Sequence, residues 1–153
     1  MLDNAPTYLS FLSAQFGLFV TPKIVEGVRH LAAGGAFALT GPDAGHAAEI
    51  LRTWRGIQIW HPDALGRGEV SLGIIQVCHL LKNHPTYVAG ISIAAVFFGA
   101  STYIGNGPNF MVRSIAQQWG VRMPGFLGYI FRFSLPFLLP LFLAVWWIFF
   151  RTE

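Results

Sequence analysis

Charged residues are scarce in this sequence. Only 11% of its 153 residues are Asp, Glu, Lys or Arg, against about a quarter in ordinary soluble domains. Cysteine is scarcer still: Cys78 stands alone, so no internal disulfide can form and the redox compartment stays open. No basic run with interleaved aromatics occurs, and the net charge of +3 is spread along the chain. That pattern excludes the usual electrostatic footprint of a nucleic-acid binder. Asp3 and Pro6 stand where a secretory signal would carry its positive and apolar regions. Ser10 and Ser13 have no base at a recognisable spacing, so the chain is not expected to be an enzyme. Cys78, His79 and His84 lack the second thiol of a zinc site, and His30, His46 and His61 are scattered and expected to be solvated. No cofactor is expected.

Apolar residues make up 54% of the chain and aromatics 15%, with fourteen phenylalanines. The length would suffice for one soluble domain. Such a chain, however, cannot cover its apolar surface with polar groups, and lipid is the natural solvent. The composition reads as an integral membrane protein whose first partner is the bilayer.

Four regions follow along the chain. Residues 1–20 hold an apolar stretch too short to cross a hydrocarbon core of ~30 Å, so it reads as one arm of a re-entrant hairpin or as the tail of a longer span, and the expectation adopted is the hairpin tip and arm. Residues 21–87 carry most of the charge and read as a polar connection, with one short amphipathic helix near 47–55 in which Ile50, Leu51 and Trp54 share a face. Within it, residues 70–81 are apolar but too short to span. Residues 88–119 begin with a membrane segment rich in Gly, Ala and Ser, suited to close helix packing, and are interrupted by Gly105-Asn106-Gly107-Pro108-Asn109. Residues 126–150 contain an uncharged run from Phe133 to Phe150 between Arg132 and Arg151, long enough to span, with Pro136 and Pro140 as candidate kinks.

The interruption has a counterpart at the start of the chain. Aligned on proline, Asp3-Asn4-Ala5-Pro6-Thr7-Tyr8-Leu9 and Gly105-Asn106-Gly107-Pro108-Asn109-Phe110-Met111 share Asn, a small residue, Pro, a hydrogen-bonding residue, an aromatic and an aliphatic. An interrupted helix leaves backbone groups unpaired, which hydrocarbon tolerates only beside protein or a wet cavity. It also exposes carbonyls that suit a cation and N–H groups that suit an anion. Pro108 fits the first turn of a second half-helix capped by Asn106 or Gly107. Asp3 is a carboxylate able to hold Na+ when ionised or a proton when neutral, the minimum chemistry for ion exchange. The plainer reading is that Asn-Gly and Gly-Pro are ordinary turn formers; their recurrence beside short apolar segments points instead to a transporter site. The interval between the motifs is too short and too polar to hold the spans of two full inverted repeats, so both are placed in one half of a carrier.

At these residues the sequence resembles a known group. "LDNAPTYLSFL" and "FFGASTYIGNGPNFMVRSIAQQWGVRMPGFLGY" are similar to the C-terminal region of bacterial sodium:proton antiporters of the NhaD type and of citrate transporters, both in the ion transporter superfamily with arsenite and dicarboxylate carriers. The resemblance is specific over residues 2–12 and 88–130. It implies an all-α membrane protein, the C-terminal part of an inverted-repeat transporter of the cell (inner) membrane, multi-pass and with a preceding half outside this chain; a homodimer is left open. It implies an ion or substrate site formed by Asp3, Asn4, Pro6 and Thr7 at the hairpin tip and by Ser101, Thr102, Asn106, Gly107, Pro108 and Asn109 at the broken helix. Na+ and H+ are the expected transported or coupling ions. Asp3 tilts the expectation toward Na+/H+ antiport, with a Na+-coupled citrate or dicarboxylate carrier or a non-transporting subunit as alternatives. Arg113, the arginine nearest a motif, is expected to face water or headgroups.

Overall fold

The computed structural model describes residues 4–35 and 44–151. All regular structure among them is helical. Nine α-helices run in order: α1 (Asn4–Phe19), α2 (Pro22–Ala32), α3 (Ala44–Trp60), α4 (Pro62–Gly66), α5 (Leu72–Asn83), α6 (Pro85–Ala100), α7 (Gly107–Gln118), α8 (Phe126–Tyr129) and α9 (Leu135–Phe149). Prolines fix several starts. Pro22, Pro62 and Pro108 lie in the first turns of α2, α4 and α7, where the missing N–H costs nothing. Glycines fix several stops: Gly34, Gly68 and Gly120 follow α2, α4 and α7 with φ of 80°, 69° and 76°, the left-handed turn that ends a helix. The chain divides into two compact units, Leu12–Val88 and the remainder.

In the first unit α3 packs along α5 and against α2 around one buried cluster. The contact follows helical spacing. Ile24 and Val28 on α2, Ile50, Thr53 and Ile57 on α3, and Ile75, Cys78 and His79 on α5 form buried stripes. Burying the four isoleucines contributes roughly 6–12 kcal/mol before chain entropy is counted. Thus 21–83 holds four packed helices where the sequence suggests one, and the helix expected near 47–55 runs from Ala44 to Trp60. The apolar 70–81 stretch is the start of α5, capped by Ser71, whose hydroxyl accepts from the Ile74 amide at 3.4 Å.

Two polar groups sit inside this core, Thr53 and His79, both fully buried. The Thr53 hydroxyl donates to the Glu49 carbonyl at 2.7 Å and lies 3.0 Å from His79 Nδ1. Asn83 Nδ2 lies within 3.3 Å of the Glu49 carbonyl, Thr53 Oγ1, His79 Nδ1 and the His79 carbonyl. Burial holds the His79 imidazolium pKa below its ordinary value, with Glu49 acting in the opposite direction.

The second unit comprises residues up to Phe11 and from Ala89 onward. Here α6 and α9 run antiparallel through their side chains: a Cβ at Gly90 would meet the Phe150 ring at 3.5 Å, and Phe97 packs edge-on against Phe142 at 5.9 Å. From Phe126 to Phe149 the helix is continuous for 24 residues, about 36 Å at 1.5 Å per residue, enough to cross a bilayer. Phe131, Phe137, Trp147 and Ile148 are all more than half exposed along it, a surface suited to lipid. The fold is that of an all-α membrane protein. Residues 130–134 of this helix form a π turn, in which the Leu135 amide reaches back to the Ile130 carbonyl. Pro136 follows directly, and its ring would collide with the Arg132 carbonyl of a regular helix; the wider turn removes the clash.

Candidate functional site

The break expected after the 88–104 segment is present. α6 ends at Ala100, residues 101–106 are irregular, and α7 starts at Gly107. Its shape depends on local hydrogen bonds and one close approach. Ser101 Oγ donates to the Phe98 carbonyl at 2.6 Å, and Thr102 Oγ1 accepts the Gly105 amide at 2.9 Å. Gly105 presses onto the last turn of α6, where an added Cβ would lie 3.1 Å from the Gly99 carbonyl and 3.0 Å from Thr102 Oγ1. Only glycine fits there without movement. Asn106 takes the N-cap position of α7 with extended backbone, its side chain making no capping bond, and Pro108 lies in the first turn.

A cavity of about 100 Å³ opens beside this break, walled by Tyr103, Asn109, Val112, Arg113, Met123, Pro124 and Tyr129. Asn109 and Arg113 are four residues apart and so share one face of α7. The Arg113 guanidinium stacks on the Tyr103 ring, with Cζ 3.9 Å from its centroid. Tyr103 is only 6% exposed and meets the edges of Phe126 and Tyr129 at 5.9 and 5.7 Å. Arg113 Nε is buried and has no hydrogen-bond partner. This differs from the expectation that Arg113 faces water or headgroups: the helix turns it toward an aromatic from the break itself, and cation–π attraction holds it there.

The arrangement favours an anion. A buried N–H without an acceptor is costly, and a carboxylate would supply two acceptor oxygens to a guanidinium. The nearby start of α7 adds the positive end of a helix. A cation would meet the Arg113 charge in this cavity; carbonyls at the end of α6 are the chemistry a cation would use instead.

The sequence candidates distribute as follows. Asn109 lines the cavity, while Ser101, Thr102, Asn106, Gly107 and Pro108 shape the break around it. Asp3 lies outside the described residues. Asn4, Pro6 and Thr7 are in the first turns of α1, in the same compact unit as the break; Pro6 and Thr7 are not among the described residues of the cavity wall. Tyr103, Tyr129 and Met123 escape sequence reasoning. Tyr103 stands two residues before the Gly-Asn-Gly-Pro break, and an aromatic ten residues before Arg113 was the available signal.

The family described as "putative citrate transport" matches the chain over residues 1–150. No curated protein and no solved structure matches it.

Proposed function

The chain belongs to that citrate transport family, and from this premise we propose that it is part of a secondary active transporter for a carboxylate, with Arg113 and Tyr103 receiving the anion beside the broken helix. The observation carrying the reading is the buried, unpartnered Nε of Arg113 in a cavity large enough for a carboxylate head. The chain acts as one half of an inverted-repeat carrier, multi-pass in the inner membrane and surrounded by lipid. It rocks against a second half to give alternating access and carries out no enzymatic chemistry. Neither nucleic acid nor cofactor takes part, and a homodimer is compatible with this arrangement.

The test is binding and uptake of labelled citrate by the carrier in proteoliposomes, with Arg113→Ala beside the wild type. Removing a charge-assisted contact worth about 1.5–3 kcal/mol is expected to weaken citrate affinity by about 10- to 150-fold. Unchanged affinity in the variant would overturn the assignment.

A second reading, Na+/H+ antiport of the NhaD type, is favoured by the carbonyl-bearing end of α6 at the break. It requires Na+-dependent proton flux that vanishes in Asp3→Asn. A subunit that only packs against a partner would show neither flux, and Arg113→Ala would then alter assembly alone.

A further inference from the structure

A second cavity, of about 310 Å³, lies between α6 and the last helix, inside the same compact unit as the break. It shares no residue with the Arg113 cavity. Phe97 and Phe142 close one end; Ser101, Ile130 and Ser134 stand at the other, with Leu138 between. The two serines are its polar groups, and they differ. Ser101 Oγ gives its hydrogen to the Phe98 carbonyl at 2.6 Å. Ser134 is only 5% exposed, and its Oγ has no hydrogen-bond partner. That hydroxyl still has a hydrogen to donate.

Water does not suit this space. An apolar cavity of about 150 Å³ stays dry and takes an organic guest instead, and this one is larger. One unpaired hydroxyl amid hydrocarbon calls for a guest that is apolar along its length and carries an acceptor at one end. The rim shows where such a guest comes from. Phe98, Leu135 and Leu139 line the cavity and are also well exposed, so it opens onto the apolar surface that faces lipid. Its polarity matches a bilayer as well. The Ser134 end lies toward Arg132, where the uncharged run starts, and the Phe142 end lies inside that run, which continues to Arg151. From Ser134 to Phe142 the helix rises about 12 Å, which fits within one half of a hydrocarbon core of ~30 Å.

We propose that this cavity is a lipid site, in which one acyl chain of a membrane glycerophospholipid lies along Phe97, Leu138 and Phe142 and its ester carbonyl accepts from the Ser134 hydroxyl. Ser101 is also the first residue after α6, where the break begins. The chain therefore braces the broken helix without entering the Arg113 cavity. The site stands whichever ion or carboxylate the carrier moves.

The experiment strips the full chain of lipid in detergent and titrates it with dioleoyl phosphatidylethanolamine. Bound lipid is counted by native mass spectrometry, and the thermal midpoint is followed in parallel. One phospholipid per chain is expected to stay bound after the surrounding lipid has dissociated, and to raise the midpoint. Leu138→Trp fills the cavity and should abolish that retention. Phe137→Trp, exposed on the same helix and outside the cavity wall, should not. Ser134→Ala should weaken retention about 2- to 10-fold while leaving the lipid-free midpoint unchanged or higher, because it removes an unpaired hydroxyl. Equal retention in the wild type, Leu138→Trp and Ser134→Ala overturns the site. Retention of oleic acid but not of phospholipid, or a dimer of the chain that excludes lipid, overturns the occupant. Should Leu138→Trp not fold, Ser134→Ala decides alone, since retention equal to wild type overturns the ester contact.

Discussion

Replacing Gly105 by Ala is a one-methyl test of how the break is held. The added carbon would lie 3.0 Å from Thr102 Oγ1 and 3.1 Å from the Gly99 carbonyl, where ordinary contact begins near 3.4 Å. Neither neighbour yields easily. The Thr102 hydroxyl already accepts the Gly105 amide at 2.9 Å, and the Gly99 carbonyl belongs to the last turn of α6. Overpacking of this kind costs about 1–3 kcal/mol, and losing the Thr102 bond adds about 0.5–1.5 kcal/mol. At about 2–4 °C per kcal/mol for a chain of this size, the thermal midpoint in detergent should fall by at least ~3 °C. Tyr103, two residues away, should shift with the turn, and citrate affinity should fall in parallel. Gly107 supplies the contrast: a Cβ there meets nothing within 4 Å. Gly107→Ala should keep or raise the midpoint, since reduced chain entropy adds up to about 1 kcal/mol of stability. Equal effects at the two glycines, or a neutral Gly105→Ala, would refute the close-approach argument.

Thr53→Val keeps the shape but strips the core of a hydroxyl shared by Glu49, His79 and Asn83; a loss of about 1–3 kcal/mol is expected, read by thermal unfolding, with Thr53→Ser close to wild type. The pH dependence has a definite sign. The unfolded His79 binds its proton near 6.5 and the buried ring only at lower pH, so the unfolded chain binds more protons between those values. Stability of the Leu12–Val88 unit should therefore hold above pH 6.5 and decline below it, flattening once the folded-state value is passed, with a weaker decline in His79→Gln. Phe137, near the middle of the 24-residue helix and 72% exposed, should resist charge: Phe137→Arg is expected to cost about 2.5–3.5 kcal/mol of membrane insertion, visible as a lower inserted fraction in a glycosylation-mapping assay.

Much of the second unit is legible from local chemistry. An uncharged run between Arg132 and Arg151 announces a span, and Gly-Asn-Gly-Pro announces a break, because glycine and proline act on the backbone where they stand. Pro108 narrows the N-cap of the second half-helix to Asn106 or Gly107, and it is Asn106. The Leu12–Val88 unit is harder to read. Its α3 stripe runs Ile50, Thr53, Ile57 and its α5 stripe Ile75, Cys78, His79, so a polar residue interrupts each apolar face and the periodicity looks weak. Those polar residues satisfy one another across helices, a pairing 26 residues apart in sequence that no local rule reveals. Arg113 shows the same limit. An arginine on a half-helix reads as solvated until the ring it stacks on is seen.

The π turn has a consequence for the last helix as a whole. It accommodates one extra residue, which rotates everything after Ser134 by about 100° relative to an uninterrupted α-helix. Tyr129 can thus point into the Arg113 cavity while the α9 side chains keep their own bearing toward Phe97 on α6. The two stretches of one rod are clocked separately. Closing the wide turn into a regular one with no residue removed would change their relative bearing by about 100°, forcing the helix to give up either its aromatic wall at the cavity or its packing on α6, whereas deleting one residue within 130–134 should keep both.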